Sequence, residues 1–222
     1  MKRRKFIVGA GAGLAALMLG GCGFLPKDNA QQNVAPAEKD SNKLTAEDSN
    51  IQTSEENNTQ TSEKEKKILI AYFSHTGHTN TFAEIIQKEV GSDLFAIEPQ
   101  DAYPIDHDTV VQQARGEVDS QYKPKLSNQI PDIRSYDIIF IGTPIWWYSV
   151  APPVRTFLTD YDLADKTIIP FSTHKGSGLS GIDKTMQELQ PKTKVLEGLA
   201  IWDDQAKDKQ ADIVSWLQRL NV

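Results

Sequence analysis

The sequence is short of cysteine, of clustered basic residues and of long apolar runs, and each shortage closes off a class of protein. Cys22 is the only cysteine in 222 residues, so no internal disulfide can staple the chain and stability has to come from a packed core. His and Cys nowhere share the spacing of a zinc site, and no metal is expected. Acidic residues outnumber basic ones, 30 to 24, and past the first residues no basic stripe forms, which argues against nucleic acid as a partner. The uncharged apolar stretch Phe6 to Gly21 has sixteen residues, fewer than the roughly 20 of a membrane-spanning helix.

What is present near the N-terminus has the layout of an export signal. Lys2, Arg3, Arg4 and Lys5 precede the apolar stretch, which ends in "LGGC", Leu19 to Cys22. "LGGC" resembles the lipobox of bacterial lipoproteins. That resemblance implies a signal peptide over 1–21, cleavage before Cys22 and acylation of its sulfur. The protein is then expected to be exported and anchored by lipid at Cys22 to the outer side of the bacterial cytoplasmic membrane. A buried core cysteine is the competing reading, set aside because Cys22 directly follows a signal core. "KRRKFIV" is similar to a twin-arginine export signal, and an ordinary basic leader reads equally well. Residues 22–66 are nearly all polar, with Val34, Leu44 and Ile51 the only large aliphatics between Lys27 and Lys66. Such a segment buries too little surface to offset its ordering entropy and is expected to be a disordered tether. Forty coil residues reach roughly 35 Å, enough to hold a domain clear of a lipid surface.

Residues 67–222 carry 15 basic and 21 acidic side chains and have the length of one domain. Apolar runs alternate there with amphipathic stretches. Strands are predicted over Lys67–Phe73, Asp93–Glu98, Tyr136–Thr143, Thr167–Thr173 and Lys194–Ile201. Helices are predicted over Thr79–Val90, Asp106–Ser120, Ala151–Tyr161, Ile182–Leu189 and Ala206–Leu220. Five strands alternating with five helices imply an α/β fold, a doubly wound parallel sheet with helices on both faces. Ligands of such sheets bind beyond the carboxyl ends of the strands, where the strand order reverses.

Three loops at those ends carry the chemistry. After the first strand, Ser74, His75, Thr76, Gly77, His78, Thr79 and Asn80 set hydroxyls around a glycine at a helix start, a combination suited to a phosphate. Capping of the helix accounts for one or two of these residues, not for all of them. After the third strand, Thr143, Pro144, Ile145, Trp146, Trp147 and Tyr148 offer aromatic walls for a flat ring, of which one is expected to be spent on packing. After the fourth come Ser172, Thr173, His174, Lys175, Gly176, Ser177 and Gly178. Gly176 to Gly181 also fits G-x-G-x-x-G with Glu197 downstream, but a dinucleotide fingerprint opens its domain and this one comes near the end.

"SHTGHT" is similar to the phosphate loop of flavodoxins, and "GTPIWW" and "STHKGSG" resemble the flavin-binding loops of that family. "AYPIDHD" and "KPKL" resemble its segments around the second helix. The resemblance covers nearly all of 67–222 and is closest to the short-chain type. It implies strand order 2-1-3-4-5 and FMN as cofactor. Ser74, Thr76, Thr79 and Asn80 would then hold the phosphate, and the two later loops the ring. Lys175 departs from the small or acidic residue common there, and its charge is expected to raise the reduction potential or simply to be solvated. The function implied is electron transfer, or reduction by a small FMN-dependent reductase. The partner would be a redox protein or a small acceptor such as a quinone or NAD(P)H. His75, His78 and His174 are candidate proton donors or loop hydrogen-bonding groups. A non-redox lipoprotein that binds another phosphate-bearing ligand is the alternative. A phosphorylated receiver wants a carboxylate where Thr143 and Pro144 stand, and Ser180 in "GLSGI" lacks the second glycine of a hydrolase elbow.

Overall fold

The computed structural model describes residues 65–222; the expected signal peptide, Cys22 and the tether up to residue 64 lie outside the described residues. Within them, β1 (Ile68–Tyr72), β2 (Asp93–Ala96), β3 (Ile138–Trp146) and β5 (Thr167–His174) pair in parallel in the order β2-β1-β3-β5. The carboxyl-terminal edge of the sheet is shared by β6 (Lys194–Val195) and β7 (Leu199–Trp202), both parallel to β5. Five helices follow the strands: α1 (His78–Val90), α2 (His107–Asp119), α3 (Pro152–Asp160), α4 (Ile182–Leu189) and α5 (Gln210–Leu220). No helix among the described residues is long and apolar enough to cross a membrane.

The alternation of side chains along the strands divides the core into two layers. Leu69, Ala71, Ile139 and Ile141 face α2, α3 and α4, packing against Val110, Val154, Phe157 and Met186. Ile70, Phe140, Ile169 and Phe171 face α1 and α5, packing against Phe82, Ile86, Ile213 and Trp216. Gly142 of β3 pairs with Phe171 of β5, and only glycine fits there because a Cβ would lie 2.2 Å from the Phe171 ring.

The expected fifth strand is broken into two. The Leu196 amide donates to the Ile168 carbonyl (2.9 Å), so alternate residues of β5 from Ile168 onward direct their amides and carbonyls to that edge. Pro170 falls in this set and has no amide to give. Ladder pairing accordingly stops after Ile168 and resumes at Phe171. Gly198 fills the gap, where a Cβ would lie 2.8 Å from the Pro170 carbonyl oxygen. The last helix starts four residues later than its periodicity suggests, because Trp202 to Lys209 form turns closed by Gln205 N–H to the Trp202 carbonyl and Lys209 N–H to the Gln205 carbonyl.

A second departure shapes the site. β3 runs past Thr143 to Trp146 and folds back as a hairpin onto β4 (Ser149–Val150), with Trp146 opposite Ser149. The two turn residues, Trp147 and Tyr148, both have left-handed backbones, φ 47° and 60°. That is the geometry of a two-residue hairpin turn, normally given to Asn and Gly.

Candidate functional site

The loop between β1 and α1 is built to leave donors open. Gly77 takes φ +88° to turn the chain into the helix, and no side chain caps α1. Ser74, Thr76, Thr79 and Asn80 therefore do not act as caps, and the amides of the first turn are free for a ligand. The Ser74 hydroxyl is buried without a partner, which is costly unless something else binds it. Thr79 is wholly enclosed, and its Oγ1 lies 2.8 Å from Thr173 Oγ1, tying this loop to β5. The Asn80 amide accepts from the Tyr72 hydroxyl and donates to Glu84 Oε1 (2.8 Å), so its side chain is engaged within the protein.

The histidines of this loop have distinct settings. His75 Nε2 lies 2.9 Å from the Pro104 carbonyl oxygen. Since a carbonyl only accepts, that nitrogen carries the proton. The ring packs edge-on to Trp146 at 5.8 Å and to Tyr103 at 6.5 Å, pinning the loop to the segment before α2. His78 Nε2 faces Asp203 Oδ2 at 3.9 Å.

On the hairpin, the three aromatics divide their work. Trp146 packs edge-to-face with Phe73 and Tyr103, at 5.5 and 4.9 Å. Trp147 donates its indole N–H to the Val111 carbonyl (2.9 Å) and lies under the Arg115 guanidinium at 4.6 Å, clamping the hairpin to α2. Tyr148 is 75% exposed. The Thr143 hydroxyl, fully buried, accepts from the Ala151 amide and donates to the Pro144 carbonyl, both at 2.9 Å, and so shapes the hairpin base.

The loop after β5 is held from within. The Gly176 amide donates to His174 Nδ1 (2.9 Å), which leaves the imidazole proton on Nε2. Burial pushes the His174 pKa below its usual value, partly opposed by the Asp203 carboxylate; the ring is thereby favoured as a neutral hydrogen-bond donor. Gly176, Gly178 and Gly181 all have positive φ, so the G-x-G-x-x-G spacing follows from the turns that lead into α4. Ser177 gives its carbonyl to the Ser180 hydroxyl (3.0 Å), and the Ser172 hydroxyl, like that of Ser74, is buried without a partner.

These loops meet in a cleft of about 250 Å³. His75, Thr76, Pro144, Ile145, Trp146, Trp147, Thr173, His174 and Lys175 line it. Ser74, Gly77 and Asn80 line an adjoining groove beside the end of β2, while His78 lies beside Asp203 in a further shallow depression. Two contributors lie outside the three loops. One face of α2, His107, Val110, Val111 and Ala114, forms a wall, and Asp203 enters from the end of β7. The spacing i, i+3, i+4, i+7 marks the α2 face as one that must be covered, which was the signal for it. Asp203 had none, being one acidic residue among many.

A family model described as Flavodoxin matches residues 67–220. Among solved structures, a candidate flavoprotein from Bacteroides eggerthii is 30% identical, with 71% of this chain and 99% of that one covered at a TM-score of 0.64. A second candidate flavoprotein, from Bacteroides uniformis, is 28% identical over 70% and 99% of the two chains, with a TM-score of 0.63. A flavoprotein from Lactobacillus acidophilus, solved in complex with FMN, is 26% identical over 66% and 99%, with a TM-score of 0.54. None of the curated proteins matches this chain.

Proposed function

Because the chain belongs to the flavodoxin family, we propose that it is an FMN-dependent reductase of small-molecule acceptors, held by a lipid anchor on the outer face of the bacterial cytoplasmic membrane. FMN is its cofactor, in keeping with the family and with the FMN complex of the Lactobacillus acidophilus relative. One observation of the site itself carries the fit: the buried, unpartnered Ser74 hydroxyl beside an uncapped helix start. A phosphate supplies the acceptor that both lack.

The residues present suit each part of the cofactor. Ser74, Thr76 and the first amides of α1 would hold the phosphate, with Gly77 setting their direction. Pro144, Ile145 and Trp147 offer flat apolar walls to the ring, and the amides from Thr173 to Gly178 suit its polar edge. Trp146 braces the hairpin from behind, through Phe73 and Tyr103. When bound, FMN supplies reversible two-electron chemistry. The protein's share is to bind, to orient and to present donors, among them His174 with its proton fixed on Nε2.

A small acceptor is favoured over a protein partner by what lines the cleft. Three of the four histidines of the chain, His75, His107 and His174, line the cleft, and the fourth, His78, lies next to it beside Asp203. Two-electron reduction of a quinone consumes protons, which histidines can relay near neutral pH. Among lining residues only Lys175 and Asp203 carry full charges, a poor match for a docking rim that steers a protein. Anaerobic mixing of the reduced, FMN-loaded chain with quinones, NAD⁺ and NADP⁺ tests this. Reoxidation within seconds by one of them is expected, and slow reoxidation by all would leave only the carrier role. For the anchor, Cys22→Ser is expected to move the protein from the membrane fraction to the soluble fraction. Retention in the membrane would exclude lipidation at Cys22.

A further inference from the structure

The cleft is lined by one carboxylate, and it comes from the residue that follows a strand outside the three cofactor loops. Asp203 follows β7 directly. Its amide donates to the His174 carbonyl (2.8 Å), so the backbone at the edge of the sheet holds the loop after β5 in place. Its side chain is 22% exposed, and Oδ2 faces Lys175 Nζ at 3.5 Å and His78 Nε2 at 3.9 Å. One oxygen thus stands between the loop after β1 and the loop after β5. His174, between Asp203 and the Gly176 amide, is held at both its carbonyl and its ring.

This placement changes the reading of Lys175. Alone on a loop, its ammonium would favour an anionic reduced ring and raise the potential. Here the charge is matched by a carboxylate that is better buried than the lysine, whose side chain is 69% exposed. A charge that is less exposed to water is less screened, so the carboxylate weighs at least as heavily on the cleft as the lysine does.

We propose that Asp203 is a fourth element of the cofactor site, a positioning residue that orders the loop after β5 and offsets Lys175, so that the pair rather than the lysine alone sets the reduction potential. The proposal rests on FMN being the cofactor. It separates two roles. The backbone bond from Asp203 to His174 shapes the loop and survives substitution, whereas the carboxylate acts on charge and does not.

The test is a charge cycle on the full chain loaded with FMN: wild type, Asp203→Asn, Lys175→Gln and the double variant. For each, the dissociation constants of oxidised and reduced FMN are measured, together with the two-electron midpoint potential. Asp203→Asn is expected to strengthen binding of reduced relative to oxidised FMN by about tenfold, which for a two-electron couple raises the potential by about 30 mV. Lys175→Gln is expected to shift the ratio the other way, and the double variant to return to within about threefold of wild type. A merely structural Asp203 would weaken both oxidation states equally and leave the potential in place, which would overturn the proposal. So would a downward shift in Asp203→Asn, or a shift in Lys175→Gln of under twofold, which would mean that water screens the pair completely. Failure of the wild type to take up FMN would instead overturn the cofactor itself, and with it this proposal.

Discussion

Ser74 and His174 show how single residues carry the site's chemistry. The hydroxyl of Ser74 is shut away from water with no partner, so the protein without ligand gains nothing from it. Ser74→Ala is therefore expected to leave the unloaded protein equally stable or slightly more stable. Its FMN affinity should fall by about tenfold, the loss of one hydrogen bond to a charged group. Thermal unfolding without FMN and a fluorescence titration with it measure the two effects, and their opposite signs separate binding from folding. His174 predicts a pH dependence. Its folded pKa lies below the usual 6.5, so near and below that pH the unfolded chain binds more protons than the folded one. Stability contributed by neutral His174 is then present above about pH 6.5 and is lost as pH falls toward the folded value. His174→Gln should flatten the slope of denaturation midpoint against pH in that window, compared with wild type.

At the scale of elements, the hairpin after β3 is the costly part. Two bulky residues in the left-handed region cost roughly 1–2 kcal/mol each, and Trp147 recovers part of this through its bond to Val111 and its contact with Arg115. Tyr148 makes no such return and is mostly exposed. Tyr148→Gly should accordingly stabilise the protein by about 0.5–1 kcal/mol after glycine's own entropy cost, a rise of about 2 °C in the unfolding midpoint. Unchanged or lower stability would mean that the side chain packs where it looks free. The same hairpin marks a limit of sequence reading. The sequence predicts this strand over Tyr136–Thr143, two residues early at its start, and its continuation to Trp146 depends on pairing with Ser149, which no periodicity reveals. Pro170 is similar: its presence weakens a strand in any reading, yet which neighbour loses a bond depends on the side to which residue 170 points. By contrast α4 begins and ends where its periodicity places it, at Ile182 and Leu189, since Gly181 supplies the turn before it.

For the whole molecule, the alternation of strands and helices made the doubly wound sheet legible, and the order β2-β1-β3-β5 brings the loops after β1, β3 and β5 to one edge. What the chain alone could not disclose was which members reach the cleft from elsewhere. The α2 wall depends on how that helix lies over the hairpin, and Asp203 depends on the register of β7 against β5. Binding to the folded state alone stabilises it, so FMN at a hundred times its dissociation constant should add about 2.7 kcal/mol to the stability of the domain. The most direct measurement is titration of FMN with the full chain, followed by quenching of flavin fluorescence and by the unfolding midpoint. Saturation at one FMN per chain, a raised midpoint and weakened binding in Ser74→Ala are the predicted results. A chain that stays colourless after mixing with FMN, with its midpoint unmoved, would contradict the account.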